Sequence, residues 1–295
     1  MTAQPTVAFV GLGVMGFPMA GHLANSGCAV RVFNRTAARA HEWARRFAGS
    51  THATPAAAAQ GADIAFVCVG NDDDVRSVVL GADGTLAGLR RGATLVDHTT
   101  ASADLARELE RAARERGVGF LDAPVSGGQA GAEQGQLTIM VGGEPETYSR
   151  IEPTMSVYAK RVRLMGPAGS GQLTKMVNQI CIAGVLQGLA EALTFAERAG
   201  LDPVAVVDVI SKGAAQSWQM ENRHKTMAAR KFDFGFAVDW MRKDLRIALE
   251  QARKTGAPLP LAALVDQFYA DVQRMGGGRW DTSSLIARLG GEPQR

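Results

Sequence analysis

The sequence predicts an α/β domain with a doubly wound, mostly parallel sheet, followed by an all-α domain. Three observations lead to this fold class: short β-branched runs alternate with helix-like stretches early in the chain, a break rich in Gly and Pro follows near residue 166, and the pattern beyond the break is helical. Strands that alternate with helices imply βαβ units, whose right-handed crossovers produce a parallel sheet. We therefore predict domains over residues 1–165 and 166–295.

The predicted elements of the two domains differ in length. In the N-terminal domain the strands are expected over 7–10, 29–33, 64–69, 94–97, 119–122 and 136–141, and the helices over 16–26, 37–47, 75–80 and 103–116. In the C-terminal domain a long helix is expected over 172–199, followed by shorter helices over 204–211, 241–255 and 260–275. The long helix would extend roughly 40 Å at 1.5 Å per residue. We expect it to be the spine of the C-terminal domain.

The composition is that of an ordinary globular protein. The chain has 295 residues, of which 46% are hydrophobic and 21% are charged, so intrinsic disorder is excluded. The net charge is only +3 and basic residues alternate with acidic ones, so no nucleic-acid partner is expected. No secretion leader and no apolar run of roughly 18 residues is apparent. We therefore expect no membrane partner and a cytoplasmic location.

Cysteine and histidine usage predicts no metal site. Cys28, Cys68 and Cys181 are odd in number and far apart, without the spacing of a metal-binding motif. Each lies among apolar neighbours in the sequence, so we expect buried, reduced thiols in a reducing compartment. The five histidines have no ligand-like partner at short spacing. They are interpreted as surface or packing residues.

A G-x-G-x-x-G motif lies between the first predicted strand and the first predicted helix. In this context it indicates the dinucleotide-binding turn of a Rossmann domain. Gly11 allows the tight turn, Gly13 lets the backbone approach a pyrophosphate, and Gly16 lets the helix pack on the strand. The helix N-terminus offers free N–H groups to the phosphates. The residues assigned to cofactor binding are Gly11, Leu12, Gly13, Val14, Met15 and Gly16; the alternative is a glycine-rich turn without a ligand.

The end of the second strand predicts which dinucleotide is bound. Asn34, Arg35 and Thr36 stand where NAD enzymes usually carry an acid that binds the ribose 2′-hydroxyl. No carboxylate is present to repel a 2′-phosphate, whereas a guanidinium and a hydroxyl are present to bind it. We predict that these three residues bind the cofactor and that NADP(H) is preferred. NAD(H) is possible if Asn34 holds the ribose and Arg35 remains a surface residue.

Two further loops follow strand C-termini, which is where ligands bind in such sheets. Val69, Gly70 and Asn71 form the first loop, and Thr100 ends the second, which begins at Asp97. We predict that both loops contact the nicotinamide half of the cofactor. The alternative is simple turn chemistry, because Asn, Asp, Gly and Thr are favoured in turns.

Hydride transfer to a carbonyl also needs a proton donor and a group that holds the substrate. Lys175 is the candidate acid, because a partly desolvated lysine can titrate near the working pH. Asn178 and Gln179 share its helix face, and Asn178 can donate to the same substrate; the alternative is a solvated face. Ser126, Gly127 and Gly128 combine a hydroxyl with successive N–H groups, which suits a carboxylate; the alternative is a surface turn.

Taken together, four motifs resemble those of the β-hydroxyacid dehydrogenase family, which includes 3-hydroxyisobutyrate dehydrogenases and tartronate and succinic semialdehyde reductases. The motifs are residues 10–16 with Met19 and Ala20, then DAPVSGG at 122–128, GSGQLTKMVNQ at 169–179 and KDL at 243–245. The match spans nearly the whole chain, and the second and third motifs are quite specific. One departure is Gln179, where the family often has Asn. Its longer side chain could narrow or re-aim the pocket.

The resemblance implies an NAD(P)-dependent oxidoreductase that interconverts a small 3-hydroxy acid and its semialdehyde. Lys175 would be the catalytic acid/base, with Asn178 assisting. The substrate carboxylate would be held by Ser126, Gly127 and Gly128. Lys243 would lie near cofactor and substrate, and Thr100 would contact the nicotinamide ribose region. The helical domain packs against a partner subunit in this family, which implies a homodimer or homotetramer.

Two other functions stay open at this point. Imine reductases resemble the fold and the motif order, but they commonly carry another residue where this chain has Lys175, so the lysine favours carbonyl chemistry. A non-catalytic cofactor-binding module on the same fold would be expected to lose this lysine and to gain a basic or reader segment. The sequence shows neither change.

Overall fold

A computed structural model describes residues 4–290, which fall into two compact units. The first unit ends at Lys175 and the second begins at Met176, so the boundary lies inside one long helix, Ser170–Arg198. The boundary predicted after residue 165 lies at the end of the last strand, Ala159–Gly166. The two positions differ because the first turn of the helix is hydrogen-bonded to strand ends of the first unit.

All nine strands of the described residues belong to one sheet. In chain order they are β1 (Thr6–Val10), β2 (Ala29–Phe33), β3 (Ser50–Thr51), β4 (Ile64–Val67), β5 (Thr94–Asp97), β6 (Gly119–Asp122), β7 (Val125–Ser126), β8 (Leu137–Gly143) and β9 (Ala159–Gly166). The first six are parallel in the order β3-β2-β1-β4-β5-β6, while β8 is antiparallel to β6 and β7 and parallel to β9. The order reverses between β1 and β4, and such a switch point is where these sheets bind ligands.

Helices cover both faces of this sheet. They are α1 (Gly16–Asn25), α2 (Ala37–Arg46), α3 (Pro55–Ala59), α4 (Asp72–Leu80), α5 (Thr85–Gly88), α6 (Ala103–Glu115), α7 (Gly128–Glu133) and α8 (Pro145–Met155), with a 3-10 turn at Ser156–Tyr158. Successive residues of a strand point to opposite faces. In β1, Phe9 is buried in one apolar cluster, and Ala8 and Val10 are buried in another. Burial on both faces confirms the predicted doubly wound domain.

The second unit is helical. It contains the rest of α9 (Ser170–Arg198), then α10 (Pro203–Ile210), α11 (Trp218–Ala228), α12 (Val238–Thr255) and α13 (Pro260–Arg274), with 3-10 turns at Gly277–Arg279 and Thr282–Leu289. Its core joins Leu186 and Leu193 of α9 to Leu245 of α12 and to Val265 and Tyr269 of α13. No strand occurs among the described residues of this unit. The predicted all-α class is therefore confirmed, with α9 as its spine.

Helix α9 bears on two expectations from composition. Among the described residues it is the one helix that is long and apolar enough by length and composition to cross a membrane, although polar residues such as Asn178, Gln179 and Gln187 interrupt it and it contains no unbroken apolar run of roughly 18 residues. A core helix of a soluble protein passes the same test, and 44% of the most apolar stretch of α9 is buried. The expectation of three buried thiols is wrong for two of them, because Cys181 on this helix is exposed and Cys68 is partly exposed, whereas Cys28 is buried. Apolar neighbours in the sequence do not bury Cys181, because it lies on the exposed face of the helix.

Candidate active site

The glycine loop between β1 and α1 forms an open cradle at the switch point. Gly11 has a φ of +97°, and a Cβ there would overlap the carbonyl oxygen of Cys68. A Cβ on Gly16 would overlap the carbonyl oxygen of Gly11, whereas a Cβ on Gly13 would meet nothing within 4 Å. No side chain caps α1 and no acid lies in its first turn. The N–H of Phe17 donates to the carbonyl of Gly13 at 3.1 Å, so the start of the helix is bonded to the glycine loop. A diphosphate fits this cradle.

Two side chains brace the loop from the side of β2 and α2. Asn34 accepts the N–H of Leu12 at 2.9 Å and donates to the carbonyl of Thr36 at 3.0 Å. Arg39 donates to the carbonyl of Leu12 at 3.1 Å, and its guanidinium lies 4.3 Å from the ring centroid of Phe17. Arg39 was missed from the sequence, because an arginine on a helix surface carries no motif signature. Asn34 therefore fixes the shape of the cradle beside the place predicted for the ribose.

Arg35 and Thr36 lie exposed at the end of β2. The Arg35 side chain is 89% exposed, and one of its nitrogens lies 3.3 Å from Asp74. An exposed ion pair of this kind contributes little to stability. Thr36 is also exposed, and its hydroxyl makes no capping bond to α2. Both groups can therefore turn to an anion without loss to the fold.

The loops after β4 and β5 are bonded to each other. The hydroxyl of Thr99 accepts the N–H of Val69 at 3.0 Å, and the side chain of Asn71 caps α4 by accepting the N–H of Asp74 at 2.9 Å. Because β4 and β5 are parallel neighbours, Gly70 and Thr100 lie at the same edge of the sheet. Turn bonds thus hold these loops in place at the edge where a ligand is expected.

Asp97 and His98 are buried behind this edge. Asp97 accepts the N–H of Thr99 at 2.9 Å, and burial raises the pKa of its carboxyl to about 7, aided by Asp122 and opposed by the bonds from Thr99. Burial lowers the pKa of His98 to about 4. The neutral imidazole therefore donates from Nδ1 to the carbonyl of Ala123 at 2.6 Å and accepts at Nε2 from the Tyr158 hydroxyl at 2.9 Å. His98 is a packing residue, as interpreted from the sequence.

Asp122, the last residue of β6, caps the start of α9. Its two oxygens accept the N–H groups of Gly169 at 2.7 Å and of Gln172 at 2.8 Å, two donors that the helix itself leaves without partners. Burial raises the pKa of Asp122, and these backbone bonds oppose the rise. A Cβ on Gly171 would overlap the carbonyl oxygen of Met140. The glycine therefore lets the helix approach the strand ends this closely.

Gln172 completes the attachment of α9 to the sheet. Its side chain donates to the carbonyl of Thr99 at 2.7 Å and accepts the N–H of Ala101 at 3.0 Å. Lys175 follows in the next turn, and it is only 7% exposed. Such burial excludes the alternative of a solvated helix face for this lysine. Gln172 and Asp122 thus fix the turn of α9 that precedes the candidate acid.

The second candidate motif is a glycine turn at the end of β7. Gly127 and Gly128 have φ values of +133° and +61°, conformations that favour glycine. Both glycines are exposed, whereas Ser126 is partly buried and pairs in register with Thr138 of β8. The turn therefore presents a hydroxyl and backbone N–H groups from a fixed frame, as expected for binding an anion.

In the second unit the structure brings Asn178 and Lys243 to one polar cluster. Asn178 donates to Gln179 at 2.7 Å, and Gln179 donates to Asp244 at 2.7 Å. The ammonium of Lys243 lies 3.1 Å from the other oxygen of Asp244 and 5.8 Å from the ring centroid of Trp240. The KDL motif carries the signal for this carboxylate, but sequence reasoning assigned a role only to its lysine.

Known proteins match this chain over both units. One family model, the NAD binding domain of 6-phosphogluconate dehydrogenase, matches residues 6–166, and another, the NAD-binding domain of NADP-dependent 3-hydroxyisobutyrate dehydrogenase, matches residues 169–289. A Shewanella frigidimarina protein described as an uncharacterized oxidoreductase is 63% identical, with 96% of this chain and 97% of that protein covered. The chain belongs to the β-hydroxyacid dehydrogenase family. It is thus an oxidoreductase of a family that uses a nicotinamide dinucleotide.

Solved structures agree with the family assignment. Mycobacterium tuberculosis 3-hydroxyisobutyrate dehydrogenase, solved with L-serine, is 32% identical with a TM-score of 0.87, and 98% of this chain and all of that chain are covered. An imine reductase from a Pseudomonas species is 20% identical with a TM-score of 0.64, and 97% of this chain and all of that chain are covered. That likeness shows the fold alone.

Proposed function

We propose that this member of the β-hydroxyacid dehydrogenase family interconverts a small 3-hydroxy acid and its semialdehyde, with Lys175 as the acid/base. The observation that carries the proposal is the burial of Lys175 directly after the helix turn that Asp122 and Gln172 hold. Burying an ammonium costs free energy, so a lysine placed there calls for a purpose other than stability. The relative solved with L-serine, which is itself a 3-hydroxy acid, supports the substrate class.

The chain's own residues divide the remaining tasks. When bound, the nicotinamide supplies the hydride for the carbonyl carbon. In reduction Lys175 gives a proton to the forming alkoxide, and in oxidation it takes the proton from the hydroxyl. The turn of Ser126, Gly127 and Gly128 holds the substrate carboxylate, which orients the carbonyl. We assign further substrate contacts to Asn178 and Lys243, following the family.

An initial-rate panel tests the reaction class. Glyoxylate and the semialdehydes of succinate, tartronate and methylmalonate are offered with NADPH and with NADH, and the reverse direction is tested with 3-hydroxyisobutyrate, serine and 4-hydroxybutyrate. Turnover of at least one of these compounds supports the proposal. Cyclic imines are offered with NADPH alongside these compounds. Absence of turnover with every carbonyl and hydroxy compound would overturn the proposal, and turnover of the imines alone would favour imine chemistry.

We further propose that NADP(H) is preferred, because Arg35 and Thr36 can meet a 2′-phosphate at the end of β2. Arg35→Ala is expected to lower the ratio of kcat/KM with NADPH to kcat/KM with NADH by about tenfold or more, since a charge-assisted bond contributes about 1.5–3 kcal/mol. Asp74→Asn removes the carboxylate that pairs with Arg35 and should shift the ratio the other way. Arg45→Ala, at an exposed arginine of α2, is the matched control. An unchanged ratio in Arg35→Ala would refute the preference.

We also propose that the protein is a homodimer or homotetramer that uses one face of α9. Apolar side chains lie exposed along this face at helical spacing; they are Val177, Val185 and Phe195, the last of them 73% exposed. Large apolar side chains exposed on one helix are candidates for burial against a partner. A second copy of the chain is the partner that the family resemblance implies.

The assembly proposal predicts that Phe195→Glu lowers the mass of the particle in solution. A charge buried in an apolar interface is left without a partner, so association should weaken by at least about tenfold. Light scattering after gel filtration measures the mass over a range of concentrations. Leu80→Glu, at an exposed leucine of α4 in the first unit, should leave it unchanged. An unchanged mass in both variants contradicts the use of this face.

We propose a cytoplasmic location as well. Cys28, Cys68 and Cys181, all within residues 4–290, form no disulfide with one another. Cysteines that are not joined in disulfides are typical of a reducing compartment. Cell fractionation with an antibody to the native protein tests the location, and recovery in a membrane or extracellular fraction would contradict it.

A further inference from the structure

Gln179 is the centre of the polar cluster in the second unit. The residue is 2% exposed, and both ends of its amide are used. Its nitrogen donates to Asp244 on α12 at 2.7 Å, and its oxygen accepts from Asn178 at 2.7 Å. The nitrogen also lies 3.6 Å from the sulfur of Met241. A single side chain on α9 thus links its neighbour Asn178 to a buried carboxylate on another helix.

The carboxylate of Asp244 determines the donor and the acceptor in each hydrogen bond of the series Asn178–Gln179–Asp244. The carboxylate of Asp244, whose other oxygen lies 3.1 Å from the ammonium of Lys243, accepts a hydrogen bond from Gln179. Gln179 must therefore turn its NH₂ group to Asp244 and its oxygen to Asn178. Asn178 then donates one N–H to Gln179, so its oxygen and its second N–H are the atoms that can contact other partners. The usual ambiguity of amide orientation is removed.

We infer that Gln179 is a positioning residue that, anchored on Asp244, fixes which atoms of Asn178 face the substrate. The inference rests on the proposed function, in which Asn178 and Lys243 contact the substrate, and it deepens that function. Asp244 serves both groups, since one of its oxygens holds Gln179 and the other holds Lys243. Asparagine at position 179 would be shorter by one carbon–carbon bond, about 1.5 Å, and would not span this distance.

Gln179→Glu tests the inference, because its carboxyl has nearly the shape of the amide. When protonated, the carboxyl can donate to Asp244 and accept from Asn178, as glutamine does. When ionised, it repels Asp244 and has no proton to donate. We therefore expect the ratio of KM in Gln179→Glu to KM in wild type to be near 1 at low pH and to rise to about 10 or more at higher pH. The charged groups near position 179 include Asp244 and Lys243 on α12 and Lys175 one turn earlier on α9. They shift the pH at which the glutamate of the variant loses its proton, but KM still rises as the pH rises.

A second readout does not depend on catalysis. The side-chain NH₂ resonances of Asn178 are assigned in a nitrogen–proton spectrum as the pair that disappears in Asn178→Ala. In Gln179→Glu this pair should shift with pH, with the same midpoint as the change in KM, whereas in wild type it should not shift. If no compound of the substrate panel is turned over, the proposed function fails, while the resonances still decide whether Gln179 positions Asn178.

The matched control is Gln187→Glu. Gln187 is also a buried glutamine on α9, and it also bonds a carboxylate, Glu191, at 2.6 Å. In Gln187→Glu the ratio of KM to that of wild type should not change with pH, and melting temperatures show whether each variant is folded. Gln179→Asn should raise KM by the same factor at every pH, and it replaces Gln179→Glu as the test if the glutamate variant does not fold. A flat KM ratio with unshifted Asn178 resonances, or the same pH dependence in Gln187→Glu, overturns the inference.

Discussion

Lys175→Ala is expected to lower kcat by about 10²- to 10⁴-fold, the range that positioned proton transfer contributes. The affinity for NADPH should change by less than about twofold, because the cradle for the diphosphate is formed by the loop between β1 and α1. Rapid-mixing measurement of NADPH oxidation gives the first quantity, and fluorescence titration gives the second. The loss should appear in both directions of the reaction.

Lys175→Arg separates proton transfer from charge alone. Arginine keeps the positive charge but does not release its proton at neutral pH, so it should be nearly as inactive as alanine. A small primary amine added to Lys175→Ala should restore some of the rate, because it can enter the space of the missing side chain. Lys160→Ala, at an exposed lysine of β9, is the control. A kcat near that of wild type in Lys175→Ala would remove the residue from the mechanism.

Asp97→Asn is expected to become more stable than wild type as the pH rises. In the unfolded chain this carboxyl has a pKa of 3.8, and in the folded protein burial raises the pKa to about 7. Between these values the unfolded state has released the proton while the folded state retains it, so the free energy of unfolding falls by about 1.4 kcal/mol per pH unit. The full loss by pH 8 is about 4 kcal/mol, and asparagine does not suffer it.

The difference between variant and wild type isolates this effect. His98 has the opposite linkage, because its pKa is lowered from 6.5 to about 4 and its contribution to stability is lost as the pH falls through that window. Both proteins contain His98, so its contribution cancels. Urea unfolding at a series of pH values from 4 to 8 measures the difference in the free energy of unfolding. For the control Asp83→Asn, at an exposed site, this difference should not change with pH. A difference independent of pH for Asp97→Asn contradicts the assignment.

Much of the fold could be predicted because local signals are strong where strands are buried on both faces. The missed elements lack such signals. Strand β9 lies beside β8 outside the main strand order, and its Arg161 and Arg163 are exposed, so it lacks an apolar run. Helix α8 contains Pro153, which usually ends a helix. These segments take their structure from the sheet they pack on.

The candidate site divides in the same way. Lys175, Ser126 and the glycine loop belong to local motifs, so the sequence shows them. The bonds that hold them in place join distant residues: Asp122 to Gly169, Gln172 to Thr99 and Gln179 to Asp244, across 47, 73 and 65 positions of the chain. A single sequence contains no signal for such pairs. The residues proposed for the chemistry could therefore be predicted, whereas the hydrogen bonds that hold them in place could not.

The two hydrogen bonds of the Asn34 side chain limit how the cofactor preference of this enzyme could be redesigned. The usual route from NADP to NAD introduces an acid at the end of the second strand. An aspartate at position 34 could still accept the N–H of Leu12, but it would face the carbonyl of Thr36 with no proton to donate. The route with the smallest structural penalty begins at Arg35, whose side chain makes an exposed ion pair with Asp74 as its one polar contact within residues 4–290. A library for altered specificity should therefore vary position 35 first and keep Asn34 constant.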